Sequence, residues 1–224
     1  MSNLRDAIVR MALRRPYLYL LVTLVISIVL MEVLVEIAEH TFIKPALQQL
    51  ELQFIAYVQQ FVTPPLTAEV MLVTASGSST FYLLASALVC CWYLYSRQKD
   101  RLYLYLVCLC GGGILNQVLK PIFERVRPDI FPVIAESGYS FPSGHAMGAI
   151  CFYGILAYFA GLGLRSKPLR WGLMAAAGIY ILLIGLSRVY LGVHYPTDIL
   201  AGYAAGATWL FFCITLHRIF RKRY

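Results

Sequence analysis

Long apolar segments separated by short polar breaks make up most of this chain of 224 residues, and they limit its fold more than any other feature. Hydrophobic residues account for 60% of the sequence and charged residues for 13%, which is far from the balance of a soluble domain. A membrane span needs ~20 mostly apolar residues, so the chain has room for roughly six spans and short loops. We therefore expect one integral-membrane domain over residues 1–224.

The predicted fold is all-α, a bundle of six transmembrane helices with an amphipathic surface helix between the first and second spans. After Pro45, apolar residues recur at helical spacing among polar ones, and Pro64 and Pro65 end this pattern. This helix is expected on the outer membrane surface, either as a connector or as a wall or lid beside a site that lipids reach. The spans are predicted at about 17–38, 66–96, 102–120, 143–164, 169–187 and 197–220.

The basic residues indicate how the chain is oriented. A net charge of +8 suits nucleic-acid binding only when the cations form a patch on a soluble surface, and no nucleic-acid partner is expected here. Most cations stand in alternate breaks between the apolar runs, which is the positive-inside pattern of membrane proteins. This pattern predicts a bacterial inner (plasma) membrane with both termini in the cytoplasm. The breaks at 40–66, 120–143 and 187–197 then share the outer face.

Five cations, Lys44, Lys120, Arg125, Arg127 and Arg188, stand on that outer face, where the same rule predicts few, and three of them are candidate phosphate ligands. Lys120 and Arg127 are separated by six residues after the third span, and Arg188 lies between the fifth and sixth spans. Arg127 precedes Pro128, which disfavours helical backbone geometry and lets the side chain turn back toward the helix end. Lys120 alone would be an interfacial anchor. Together the three cations suit a phosphate, because arginine forks match phosphate oxygens and lysine adds a point charge.

Two histidines occupy the same breaks. Ser143, Gly144 and His145 open the fourth span, where a helix N-terminus offers unpaired N–H groups to an anion and Gly144 permits close approach. His194 and Asp198 are four residues apart at the start of the sixth span, within reach of each other. A capping carboxylate beside a surface histidine would have the same spacing. Such a pair also fixes the histidine tautomer and raises its nucleophilicity.

A metal site built from His145, His194 and Asp198 is the main alternative, because imidazole and carboxylate groups are zinc ligands. The three neighbouring cations argue against it, since they would repel a divalent ion and attract a phosphate. The six cysteines lie within apolar segments and show no zinc spacing. We therefore expect no metal and no other cofactor.

The chain resembles the type 2 phosphatidic-acid phosphatase superfamily in three segments, in their order and in their internal spacing. These segments are KPIFERVRP at 120–128, PSGH at 142–145 and SRVYLGVHYPTD at 187–198. The six-span layout is also similar to that of bacterial membrane members of the superfamily. The resemblance covers about residues 66–215, which form the motif-bearing core, and leaves the first span and the surface helix less diagnostic.

The resemblance implies a metal-independent phosphatase that works through a phosphohistidine. His194 would attack phosphorus, while Asp198 would hold the ring and stabilise its developing positive charge. His145 would protonate the leaving group and later help to activate water. The phosphate oxygens would be bound by a further set of residues, Lys120, Arg127, Ser143, Gly144 and Arg188.

The expected substrate is a lipid phosphate from the surrounding membrane lipids, with phosphatidylglycerophosphate or phosphatidic acid first and undecaprenyl diphosphate next. Lipid phosphotransferases share this anion site, so that activity stays open, as does the oligomeric state. A small anion transporter is the alternative from a different class. It would require ionisable residues deep within several spans, and apart from three glutamates in the first span almost none are found there.

Overall fold

The structure is a computed structural model that describes residues 21–22, 25–39, 45–130 and 132–221. All regular structure in these ranges is helical, which confirms the predicted fold class. Residues 25–39 form helix α1, the main described part of the predicted first span. The rest of that span and the N-terminal basic cluster lie outside the described residues. The later helices are α2 Pro45–Gln59, α3 Pro64–Ala75, α4 Ser79–Tyr95, α5 Lys99–Phe123, α6 Gly144–Ala149, α7 Ile155–Gly163, α8 Lys167–Tyr190 and α9 Pro196–Arg221.

Four continuous helical runs in the described part are long and apolar enough to cross a membrane, and they match the last four predicted spans. They are α5, the run Gly144–Gly163, α8, and α9 as far as Arg218. The run Gly144–Gly163 joins α6 to α7 through a π-helical turn at Ile150–Gly154. The predicted second span corresponds to α3 and α4, which meet the same test only when they are taken together.

The predicted second span is not one straight helix, because α3 and α4 meet at a bend of 50°. The bend follows from the run of small residues between them. Ser78 caps α4 by accepting from the Phe81 N–H at 3.2 Å. A Cβ at Gly77 would lie 2.5 Å from Ile184 Cγ2 and 3.0 Å from His145 Cδ2, so only glycine lets α8 and α6 approach here. The small residues at this bend therefore permit close approach of the helices.

Helix α9 lies at the centre of the bundle, against α5 and α6. The glycines of α5 permit this packing, because a Cβ at Gly111 would lie 2.3 Å from Trp209 Cζ2. A Cβ at Gly112 would lie 2.6 Å from Cys151 Sγ, whereas one at Gly113 would meet nothing within 4 Å. Two of the three consecutive glycines therefore form a close-contact surface, and the third faces open space.

Helix α2 is the predicted amphipathic helix. Its inner face carries Glu51 and Ile55, which are buried, and Ile55 packs against Val189 and Tyr195. Its outer face exposes apolar side chains, including Leu50 at 61% and Phe54 at 46%, as expected of a helix at a membrane surface. The helix thus covers the junction between α8 and α9, where the third signature segment lies.

Candidate active site

The three signature segments meet at one end of the bundle, although Asp198 lies 78 positions after Lys120 in the sequence. Lys120, Arg127, Gly144, His145 and His194 line a single cavity of about 710 Å³. Their convergence follows from topology, because α5 ends, α6 begins, α8 ends and α9 begins at the same end of the bundle. The remaining predicted residues surround the cavity, and their contacts are described in turn below.

His194 and Asp198 form the predicted pair. Both are buried, and His194 Nδ1 lies 3.3 Å from Asp198 Oδ2, so a proton on Nδ1 is donated to the carboxylate. This tautomer leaves the lone pair of Nε2 on the cavity side, where it can accept from Arg127 Nη1 at 3.1 Å. Burial lowers the pKa of His194, although the Asp198 carboxylate acts in the opposite direction, so the imidazole is neutral at pH 7. A neutral ring with an oriented lone pair is the form that a nucleophile requires.

The loop that carries His194 depends on one glycine. Gly192 has φ 72°, the left-handed region that favours glycine. A Cβ there would also lie 2.4 Å from Gln59 Nε2 and 3.2 Å from Pro132 Cα. This turn lets the chain reverse between α8 and α9 within a few residues, and it directs His194 toward the cavity.

Arg127 binds the loops on both sides of the cavity. Its Nε donates to the Gly138 carbonyl at 3.0 Å, and its Nη1 donates to the Val193 carbonyl at 2.9 Å. The same Nη1 lies 3.1 Å from His194 Nε2. A guanidinium group in this position would contact an anion bound beside Nε2.

Arg188 is 1% exposed, and one residue that sequence reasoning missed holds it in place. Its Nη1 donates to Thr74 Oγ1 in α3 at 2.8 Å. Its Nη2 pairs with the Glu136 carboxylate, whereas its Nε makes no hydrogen bond within the described part of the chain. A buried guanidinium with an unused donor is costly unless an anion completes its shell.

Glu136 was also missed by sequence reasoning, and it lies among the predicted phosphate ligands. Its carboxylate pairs with Arg188 and with Arg127 Nη1, the latter at 2.9 Å, and Oε2 lies 3.8 Å from His194 Nε2. Partial burial raises the pKa of Glu136, but Arg188 and Arg127 outweigh this effect and hold that pKa below its usual value. The loop of residues 124–143 thus places a carboxylate of the protein itself in the cavity, among the groups expected to bind phosphate.

The PSGH segment is fixed by a buried asparagine, a third residue without a sequence signal. Asn116 Nδ2 donates to the Pro142 carbonyl at 3.1 Å, and a Cβ on Gly144 would lie 3.1 Å from Asn116 Oδ1. Ser143 has local partners, since its Oγ accepts from the Ala146 N–H at 3.5 Å and its N–H donates to the Asp198 carbonyl at 3.0 Å. Gly144 lines the cavity, while Ser143 caps the helix behind it.

Comparison with known proteins identifies the family. The PAP2 superfamily model matches residues 101–222, a range that contains all three segments. The chain belongs to the PAP2 superfamily. It is 40% identical over 156 residues to phosphatidylglycerophosphatase B of Bacillus subtilis (strain 168), a match that covers 68% of this chain and 76% of that protein.

Two further similarities extend this assignment. The structure resembles the crystal structure of a transmembrane PAP2 type phosphatidylglycerolphosphate phosphatase from Bacillus subtilis, with a TM-score of 0.79 and 31% identity, covering 88% of this chain and 96% of that one. Undecaprenyl-diphosphatase BcrC of Bacillus subtilis (strain 168) is 29% identical over 124 residues, which are 52% of this chain and 58% of that protein. This chain is therefore a multi-pass membrane phosphatase of the phosphatidylglycerophosphatase B type.

Replacing Glu136 tests whether its carboxylate competes with phosphate for the cavity. Glu136→Gln removes a negative charge that pairs with Arg127 and Arg188, so inorganic phosphate is expected to inhibit the variant about tenfold more strongly. Below the lowered pKa of Glu136 its carboxyl is protonated, and the inhibition constants of the two proteins should converge there. Inhibition constants measured across pH give both quantities.

The matched control is Glu124→Gln, because Glu124 lies on the same loop but accepts from the Tyr139 hydroxyl at 3.0 Å, away from the cavity. Phosphate inhibition of this variant should equal that of the wild type. Weaker inhibition of Glu136→Gln would show that the carboxylate assists anion binding.

Proposed function

We propose that this protein hydrolyses phosphate monoesters or diphosphates of lipids, with phosphatidylglycerophosphate or phosphatidic acid as the first choice. The observation that carries the proposal is the shape of the cavity. From the polar cluster it extends into the gap between α4 and α5, where it is lined by Tyr82, Leu83, Ala87, Leu106 and Leu109. A phosphate at the histidines can thus remain joined to an apolar chain between two membrane helices.

The proposed reaction begins with in-line attack of His194 Nε2 on phosphorus. A phosphohistidine forms as the bond to the leaving oxygen breaks, and Asp198 stabilises the positive charge that the ring acquires. His145 gives its proton to the leaving alkoxide and then accepts one from the attacking water. Arg127, Arg188, Lys120 and the N–H groups near Gly144 bind the equatorial oxygens, while the phosphate takes the place of the Glu136 carboxylate. Of the two residues proposed from PSGH, Gly144 is the better placed, because the Ser143 N–H already has a partner.

We propose that this reaction proceeds without a metal ion. Within the described residues, no three histidine, cysteine or acidic side chains are placed to hold one. The guanidinium groups supply the positive charge that a divalent ion would otherwise provide.

The orientation in the membrane is a further part of the proposal. The positive-inside distribution of basic residues supports cytoplasmic termini and an active site on the outer face.

Undecaprenyl diphosphate is the second candidate substrate. The likeness to BcrC favours it, because that relative is named for this activity.

Phosphotransfer is an alternative reaction at the same site. A phosphotransferase would use the same phosphohistidine with an alcohol in place of water. Phosphate release from a panel of phosphatidylglycerophosphate, phosphatidic acid and undecaprenyl diphosphate separates the substrates, and added glycerol as acceptor detects transfer.

Blocking the apolar gap should affect lipid substrates alone. Gly113 lines the cavity, and a side chain there would enter open space, so Gly113→Phe is expected to fill the gap without disturbing the bundle. Keeping two methylenes of a lipid chain out of the gap removes ~1.6 kcal/mol of hydrophobic binding free energy, so kcat/KM for a long-chain lipid phosphate should fall about tenfold or more. Hydrolysis of p-nitrophenyl phosphate, which has no such chain, should be unchanged.

Gly178→Phe is the matched control. Gly178 lies in α8, where a Cβ also meets nothing within 4 Å, and it does not line this cavity. Both activities of this variant should equal those of the wild type. Equal losses on both substrates in Gly113→Phe, or no loss on the lipid, would contradict a lipid chain in the gap.

A further inference from the structure

Arg125 lies behind the catalytic pair, between two carboxylates. It is 7% exposed, with Nη1 at 2.5 Å from Asp198 Oδ1 and Nη2 at 2.6 Å from Glu51 Oε2. Its guanidinium also lies 3.8 Å from the centre of the Tyr195 ring. Arg125 is thus a buried side chain whose position is fixed from three sides, and it does not line the substrate cavity.

Glu51 brings helix α2 into this network. It is 4% exposed, and its Oε1 accepts from the N–H of Thr197 at 3.0 Å and from the Thr197 hydroxyl at 2.6 Å. Arg125 Nη1 donates to the same hydroxyl at 2.8 Å. One carboxylate of the surface helix therefore holds both the guanidinium and the first turn of α9, which carries Asp198.

The contacts of Asp198 explain why this network bears on the reaction. Its Oδ1 is paired with Arg125, while its Oδ2 accepts from the Tyr195 N–H at 2.9 Å and lies 3.3 Å from His194 Nδ1. The carboxylate cannot rotate without losing one of these partners. We infer that Glu51 and Arg125 are positioning residues that hold Asp198, and through it His194, in the geometry of attack. This inference rests on the proposed role of His194 as the nucleophile.

The charges of the network fit the proposed chemistry. Two carboxylates and one guanidinium leave one excess negative charge behind the neutral ring of His194. That ring becomes positively charged when it is phosphorylated, so the network stabilises the intermediate more than the resting enzyme. Glu51 lies outside residues 66–215, so the surface helix supplies a part of the site that the motifs do not contain.

Kinetics of three variants test the inference. Loss of such an outer partner typically costs about 10- to 100-fold, so Arg125→Gln should lower kcat by about that factor and Glu51→Gln by less. Because Glu51 acts in part through Arg125, the double variant should lose less activity than the product of the two single losses. The inhibition constant of inorganic phosphate should stay within about threefold of wild type, since neither residue contacts the proposed anion site.

The phosphate constant separates positioning from folding, because a collapsed site would lose anion binding as well. Exposed matched controls are Glu69→Gln and Arg165→Gln, which should equal the wild type in both quantities. The inference would be overturned if kcat were unchanged, or if phosphate binding were lost in parallel with kcat. It would also be overturned if the loss of kcat in the double variant equalled the product of the two single losses. His194→Ala, assayed alongside, reports separately on the nucleophile, because full activity in that variant would instead refute the proposed function.

Discussion

His194→Ala is expected to lower kcat for lipid phosphate hydrolysis by about 10⁴-fold or more, because the covalent route then lacks its nucleophile. His194 is buried, oriented by Asp198 through Nδ1, and directs Nε2 toward the guanidinium of Arg127. The substitution leaves the cations in place, so inorganic phosphate should still bind. Phosphate release by the detergent-solubilised protein measures the loss of activity. Calorimetry with inorganic phosphate measures the binding that remains.

The same assay with a chelator separates this mechanism from metal catalysis. Wild-type activity is expected to be unchanged by EDTA, because the phosphate is bound by guanidinium and ammonium groups. Loss of activity with EDTA and its recovery with a divalent ion would revive a metal site at the histidines. Substantial activity in His194→Ala would refute the nucleophile.

Arg188→Lys should have the next largest effect, lowering kcat/KM by about 10³-fold, the range observed when a transition-state arginine is lost. One donor of Arg188 is committed to Thr74, which leaves Nε, and also Nη2 once phosphate has displaced Glu136, to bind the phosphate. A lysine has no fork and cannot keep both contacts, although it preserves the charge and hence limits any loss of folding stability. Steady-state kinetics on one lipid phosphate give the ratio.

Two other variants refine that prediction. Thr74→Val removes the anchor but keeps the guanidinium, so its loss should be smaller, about tenfold. Arg165→Lys, an exposed site away from the cavity, should have wild-type kinetics. If Arg188→Lys stays within about threefold of the wild type, Arg188 neutralises charge without a bidentate contact.

The residues that sequence patterns identified are those with local or topological signals. A spacing of four residues at a helix entrance predicted the His194–Asp198 pair, which the structure places 3.3 Å apart. Charge asymmetry predicted that the polar breaks share one face, and Lys120, Arg127 and His145 do line one cavity. Helical periodicity and apolar length likewise predicted the all-α membrane bundle.

The supporting residues had no such signal, because their contacts join segments that are remote in sequence. Thr74 meets Arg188 across 114 positions, and Glu51 meets Arg125 across 74. Each of these polar side chains is unremarkable within its own helix. The bend after α3 likewise has no clear signal, since a run of small residues is also compatible with a straight, closely packed helix. Tertiary packing decides these features, and a single sequence does not display it.

Trapping the covalent intermediate tests the central claim most directly. His145→Ala should still be phosphorylated by p-nitrophenyl phosphate, whose leaving group needs no proton, but it should hydrolyse the intermediate slowly for lack of a base. The expected result is a stoichiometric burst of nitrophenolate and, after an alkaline quench, one phosphoryl group on His194 by mass spectrometry. A phosphoryl group on another residue, or nitrophenolate release without any phosphohistidine, would contradict the account.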